Sequence, residues 1–159
     1  MSRLARALRD RWAAARSEDD GNAIVEFLGI TLILLVPTVY LVLTLGRIQA
    51  GTFAAESAAA QAARAIVVAG DFEEGLTAAV ASTRVALDDQ GFPEVDAEGA
   101  LAVSCSSSPC RAPGSTVATT VTVEVPLPLI PDFVSRALPL AVRVGADHVA
   151  AVDQYGGVG

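Results

Sequence analysis

A single carboxylate, Glu26, stands at the start of a long uncharged segment and is the side chain best placed to do chemistry. Four uncharged residues separate it from Gly21, and no charged residue follows it until Arg47. An acid at the centre of a membrane span costs roughly 2.5–3.5 kcal/mol, so a simple anchor gains nothing by carrying one. The pattern therefore predicts a specific partner for Glu26 and a processing point at the glycine before it.

The two cysteines are the next candidates for chemistry. Cys105 and Cys110 are separated by four residues in a segment with turn-forming serines and a proline, and His148 is the only histidine. Outside the cytoplasm such a pair most simply forms a disulfide across the loop, whereas a metal site would need more ligands. We predict a Cys105–Cys110 disulfide, no metal and no cofactor, with His148 on the surface of a strand.

Catalytic patterns are missing from the sequence. It has no nucleophile elbow, no histidine with a suitable partner and no phosphate-binding loop. A local cluster of acids lacks the spacing of a calcium-binding loop, and we expect it to be a solvated loop. Its members are Asp88, Asp89, Glu94, Asp96 and Glu98. We therefore expect a protein that is not an enzyme.

Glu26 precedes a segment long enough to cross a membrane. Residues 27–46 are twenty residues without a charge, or about 30 Å of helix, which matches the hydrocarbon core of a bilayer. Pro37 lies inside this segment and predicts a kink. Two other interpretations are a buried core helix of a soluble protein and a removable secretory signal.

The charges on either side of the span predict its orientation. Five arginines precede the span, and only Arg47 lies close to its other end, so we expect a cytoplasmic N-terminus and an exported C-terminal part. Residues 22–159 carry six arginines, fourteen acids and no lysine, a net charge of −8. This acidic composition argues against nucleic acid as a partner.

The residues after the span predict an α+β fold. An alanine-rich helix continues the span to residue 69, and its smooth face suits packing on helices of other subunits or on its own domain. A second helix is predicted from Phe72 to Asp89, with Asp71 as its N-cap. Alternating apolar residues in 101–105, 117–125 and 140–144 predict a small antiparallel sheet of about three strands.

Two stretches of the C-terminal half are left outside these elements. The proline-rich apolar residues 126–133 cannot form a central strand. They are either an exposed loop for a partner subunit or the membrane surface, or a cover over their own sheet. Residues 151–159 are predicted to be a flexible tail after a domain at 70–150.

The sequence from Gly21 to Phe27, G-N-A-I-V-E-F, followed by a membrane helix, resembles a type IV-type prepilin processing site. More narrowly, residues 18–69 are similar to TadE-like pseudopilins of the tight-adherence (Tad/Flp) pilus system. These proteins have a short charged leader, a G-x-A-x-V-E-F core, an apolar span with a proline, and an alanine-rich helix with an acid and an arginine. Here the acid is Glu56 and the arginine is Arg64.

This resemblance implies a role for each residue of the motif. A prepilin peptidase would remove the leader, residues 1–21, by cutting after Gly21 on the cytoplasmic face. Asn22 would then carry a free amine, which Glu26, with Phe27 beside it, would neutralise in its own or a neighbouring subunit to set the axial register. Residues 22–69 would be the TadE-like helix.

The resemblance also implies a function. The chain would be a membrane-anchored minor pilin taking part in assembly of a Tad/Flp-type pilus or a related secretion apparatus. Its partners would be the membrane, the prepilin peptidase and other pilin or Tad-system membrane subunits. The alternative is an unprocessed single-span protein whose exported domain binds an envelope partner or a ligand.

Overall fold

The chain folds into a long apolar helix, a second helix and a three-stranded antiparallel sheet, which confirms the predicted α+β class. The computed structural model describes residues 19–129 and 141–155, and only the backbone of residues 19–22. In chain order the elements are helices α1 (Asp19–Val68), α2 (Phe72–Asp89) and α3 (Ala97–Ala100), then strands β1 (Leu101–Cys105), β2 (Thr116–Pro126) and β3 (Ala141–Ala151).

Helix α1 runs through two compact units of the chain, Met1–Val42 and Leu43–Gly159. Within the described residues it is the one helix long and apolar enough to cross a membrane. Its most apolar window has no buried residue, unlike a core helix of a soluble protein. The helix begins at Asp19, three residues before the start of the expected 22–69 helix, so Gly21 and Asn22 have helical backbone.

Pro37 lies inside α1 without ending it. Proline has no N–H to donate to the preceding turn. The neighbouring hydroxyl of Thr38 donates to the carbonyl of Leu34 at 2.7 Å, which satisfies that side chain within the helix. The kink at Pro37 stays a prediction.

Helix α2 has the bounds that its flanking residues predicted. The Asp71 carboxylate accepts from the backbone N–H of Glu74 at 2.8 Å, and the Glu74 carboxylate accepts from the N–H of Gly70 at 3.1 Å. These bonds satisfy N–H groups at the helix start, as a capping box does. Gly91, with φ of 80°, follows the C-cap in the left-handed conformation that glycine tolerates.

The sheet has strand order β1-β2-β3, and both pairs are antiparallel. The predicted third strand, residues 140–144, was too short, because β3 pairs with the whole of β2 from Pro126↔Ala141 to Thr116↔Ala151. Beyond Ala151, the N–H of Val152 donates to the carbonyl of Ser115 at 2.8 Å. The ordered domain thus reaches into the predicted tail, whose residues 156–159 lie outside the described part.

The core forms where the sheet meets α1. One face of β2 is buried, namely Val117, Thr119, Val121, Val123 and Val125. Six alanines of α1 are fully buried, namely Ala54, Ala55, Ala58, Ala59, Ala62 and Ala63. Buried residues of both elements share two clusters, which α2 joins through Ala86 and Ala79. Of the two predicted uses of the alanine face, packing on its own domain is the one observed.

Two glycines allow the elements to approach this closely. A Cβ atom at Gly51 of α1 would lie 2.4 Å from Cγ2 of Val125 in β2. A Cβ atom at Gly75 of α2 would lie 2.9 Å from the Cα of Ile66 in α1. Both positions therefore lack room for a side chain.

Candidate functional site

The segment around Glu26 lies on the first turns of α1 and is open to its surroundings. Glu26 is exposed, and the flanking Val25 and Phe27 are 66% and 67% exposed. Asn22 precedes Glu26 by four residues in the same helix, a spacing that places two residues on one face. The predicted processing and register residues are thus brought together along one helix.

Glu26 is the only charged residue between positions 23 and 46. It forms no ion pair within the described residues. The ion pair found there joins Arg143 and Glu124. A carboxylate in low-dielectric surroundings needs a cation or several hydrogen bonds. Among the residues whose side chains the structure describes, none supplies such a cation to Glu26.

The predicted disulfide is present between Cys105 and Cys110, whose Cα atoms are 5.5 Å apart. Both cysteines pack against the cluster built around Ala62, Ile66, Ala79 and Val117. The next residue, Arg111, has a φ of 70°, and its guanidinium donates to the carbonyl of Ala69, one residue past α1. The disulfide loop is therefore tied to the end of the long helix.

Sequence reasoning missed this role of Arg111. The available signal was a basic residue beside Cys110, because basic side chains often bind the free carbonyls at helix C-termini. Nothing in the sequence, however, indicated which helix end lies near the loop.

Arg47, the first charged residue after the span, also has a partner that the sequence did not reveal. Its guanidinium carbon lies 4.8 Å from the centroid of the Phe92 ring, a cation–π distance. A groove of about 250 Å³ opens beside this pair, and Glu94, Glu124 and Pro126 contribute to its walls. The groove therefore brings Arg47 of α1 beside Pro126 at the end of β2.

A second, more open cleft of about 530 Å³ lies between α3 and the sheet, and its walls include Asp96, Thr122, Glu124 and Arg143. Arg143 donates to Glu124 at 2.7 Å, but both side chains are mostly exposed, so the pair adds little stability. Asp96 serves as the N-cap of α3 by accepting from Gly99. Neither cleft includes a histidine or a cysteine in its walls.

The acid cluster and His148 are the other residues that the sequence singled out. All five acids of the predicted loop are exposed. His148 lies on β3 as predicted, but it is half-buried rather than on the surface, and its carbonyl is 3.4 Å from the hydroxyl of Thr119. Across residues 19–129 and 141–155, no three His, Cys, Asp or Glu residues group as metal ligands would.

Comparisons with protein-family models, curated proteins and solved structures found no match for the chain. The similarity to TadE-like pseudopilins therefore rests on the motif from Gly21 to Phe27 and on the span and alanine-rich helix that follow it.

Proposed function

We propose that this chain is a membrane-anchored TadE-like minor pilin, with a structural rather than an enzymatic role in assembling a Tad/Flp-type pilus or a related secretion apparatus. In this proposal the N-terminus is cytoplasmic, residues 27–46 cross the membrane, and a prepilin peptidase cuts after Gly21. The observation that carries the proposal is Glu26, which is the sole charge in residues 23–46 and is exposed on an apolar helix.

Charge pairing gives Glu26 its role. Cleavage after Gly21 would create an amine on Asn22, one helical turn before Glu26. In a low-dielectric environment an isolated amine and an isolated carboxylate each carry a large desolvation penalty, and pairing offsets both. A pair between neighbouring subunits also fixes their axial register, because a slip by one turn would separate the charges.

The position of Gly21 in a helix supports its role as the cleavage point. A peptidase binds an unwound peptide, so the helix has to open locally around the scissile bond. Glycine favours that opening, since it stabilises a helix by about 1 kcal/mol less than alanine does. The glycine also presents no side chain at the bond to be cut.

The surface that remains free on α1 also fits assembly. Its alanine face is occupied by the exported domain, while large apolar side chains from Ile24 to Leu45 are exposed. Inside a membrane such a surface packs on lipid or on other helices, and polar groups such as Glu26 add specificity. Partner helices would thus bind the apolar segment rather than the alanine stripe.

Processing is tested by N-terminal sequencing and intact mass of the protein from its native membrane. We expect a chain beginning at Asn22 that is lost in Gly21→Val but kept in Gly29→Val, a matched change at a glycine with open space around it. A chain that keeps residues 1–21 would overturn processing and favour the unprocessed anchor.

The role of Glu26 is tested by the isosteric change Glu26→Gln. We expect loss of assembly into the pilus or apparatus with normal membrane insertion. Glu73→Gln is the control, because Glu73 is exposed in the first turn of α2, outside residues 18–69 that carry the resemblance. Equal assembly of the two variants would contradict the proposal and leave an anchored binding domain as the better interpretation.

A further inference from the structure

Strand β2 runs antiparallel to the second half of α1, as three contacts show. Val117 shares a cluster with Ile66, and the Thr119 hydroxyl donates to the carbonyl of Ala59 at 2.8 Å. Val125 lies against Gly51. The strand therefore ends beside the start of the exported domain, where Pro126 and Arg47 line the same groove.

Arg47 marks the level of the membrane surface on α1. It follows twenty uncharged residues, and arginines at the ends of a span lie in the headgroup region. The exposed Leu43 and Leu45 come immediately before it. The end of β2 thus lies in the same groove as Arg47, the residue that ends the uncharged segment.

Residues 127–129, Leu-Pro-Leu, leave β2 at this level. Leu127 and Pro128 are half-buried, which holds the segment against the domain, while Leu129 is 75% exposed. Leu129 also has a φ of 61°, a left-handed conformation that is uncommon for a leucine. The fold thus presents an uncharged, apolar turn at the level where the span leaves the membrane.

We propose that residues 127–129 insert into the outer interface of the bilayer that holds the span, with Leu129 as the inserted side chain. This inference rests on the membrane insertion within the proposed function and not on processing or pilus assembly. In the described residues two acids, Glu94 and Glu124, lie near Arg47 and Arg143, so this surface carries no excess of positive charge. The contact is therefore made by apolar side chains with acyl chains, not by basic residues with anionic headgroups.

Tryptophan fluorescence of the full chain in vesicles tests the contact. The only tryptophan is first removed by Trp12→Phe. Each test variant then carries one new tryptophan, at Leu129→Trp, Val149→Trp or Leu41→Trp. Val149 is the control, because it is an exposed apolar residue of β3 opposite Ala118, far from Pro126 along β2. Leu41 reports on the span. Vesicles of dioleoylphosphatidylcholine are compared with vesicles of its dibrominated analogue, which quenches fluorophores within the bilayer.

We expect strong quenching for Leu129→Trp and Leu41→Trp and little for Val149→Trp. Quenching at position 41 with none at position 129 would overturn the proposal while keeping the span. Loss of quenching at position 41 would overturn the span itself and the inference with it. Shielding of position 129 from aqueous acrylamide without quenching by brominated lipid would overturn the membrane contact in favour of a covering protein surface.

Discussion

The hydroxyls of two buried threonines contribute to the stability of the fold in opposite directions. Thr119, on the buried face of β2, donates to the carbonyl of Ala59 in α1 and so joins sheet to helix. Thr83, equally buried in α2, has a hydroxyl without a hydrogen-bond partner in the described residues. A made hydrogen bond contributes about 1 kcal/mol, whereas an unmade one costs the desolvation of the hydroxyl.

Replacing each threonine by valine is therefore expected to change stability in opposite directions. Thr119→Val should lower the free energy of unfolding by about 1 kcal/mol, and Thr83→Val should leave it unchanged or raise it. Hydrogen exchange of β2 amides, measured on the full chain in detergent micelles, reports this free energy. Equal destabilisation by both changes would contradict the assignment of the Thr119–Ala59 bond.

Gly51 offers a second test at the scale of one residue. Gly51→Ala should destabilise the domain after Arg47 by about 1–3 kcal/mol, because the new methyl group overlaps Val125. Gly46→Ala, in open space on the same helix, should be neutral or stabilising, since alanine is the better helix former. The same exchange measurement distinguishes them, and Val125→Ala should restore part of the stability lost in Gly51→Ala.

Among the elements, the loop closed by the disulfide holds the end of the long helix. Cys110 and Arg111 are adjacent, and Arg111 donates to Ala69 directly after α1. The loop thus provides a hydrogen-bond donor where helices leave carbonyl groups unsatisfied. Its two functions, cross-linking and capping, depend on the same few residues.

Removing the cross-link should weaken that end of the fold first. The variant Cys105→Ser with Cys110→Ser should lose about 2 kcal/mol, as expected for so short a loop. The residues around Ala69 should exchange their amide hydrogens faster than those around Gly51. A reducing agent should produce the same change in the wild-type chain and none in the variant. Identical exchange in all samples would contradict a structural role for the disulfide.

The elements differ in how far the sequence predicted them. The bounds of α2 followed from Asp71, Gly91 and Pro93, residues whose backbone preferences act locally. The length of β3 did not, because Gly145 and Ala146 disfavour strands on their own and are held there by pairing with β2. Helix α3 was missed for a related reason: its four residues read as part of an acidic loop.

The candidate site was predicted unevenly as well. The pair Cys105 and Cys110 was evident from residue types alone, as was the isolation of Glu26 in an apolar segment. The partners of Arg47 and Arg111 lie 45 and 42 residues away in the chain, respectively. Such contacts depend on how elements pack, which local patterns do not encode.

At the scale of the whole molecule, the core formed by the described residues lies entirely after Arg47. Every residue of the two hydrophobic clusters lies between Ile48 and Val152. The apolar segment before Arg47 contributes none of its side chains to them. Folding of the domain therefore does not depend on contacts with the apolar segment.

A fragment of residues 47–159 should therefore fold without a membrane. We expect its β2 amides to show the same protection from hydrogen exchange in water as in the full chain in micelles, because the clusters are complete. The matched fragment 60–159 should lose protection, since it lacks Ala54, Ala55, Ala58 and Ala59. An unfolded 47–159 fragment would show that the span is needed to nucleate the domain.

The alignment of β2 along α1 has a mechanical consequence. A chain held before Arg47 and pulled through the domain that follows would load the contacts between β2 and α1 along the second half of the helix. The contacts at Gly51, Ala59 and Ile66 are spread along this part of the helix, so they would bear the load in parallel. Rupture would then require these contacts to break together rather than one after another, the geometry in which a domain best resists tension.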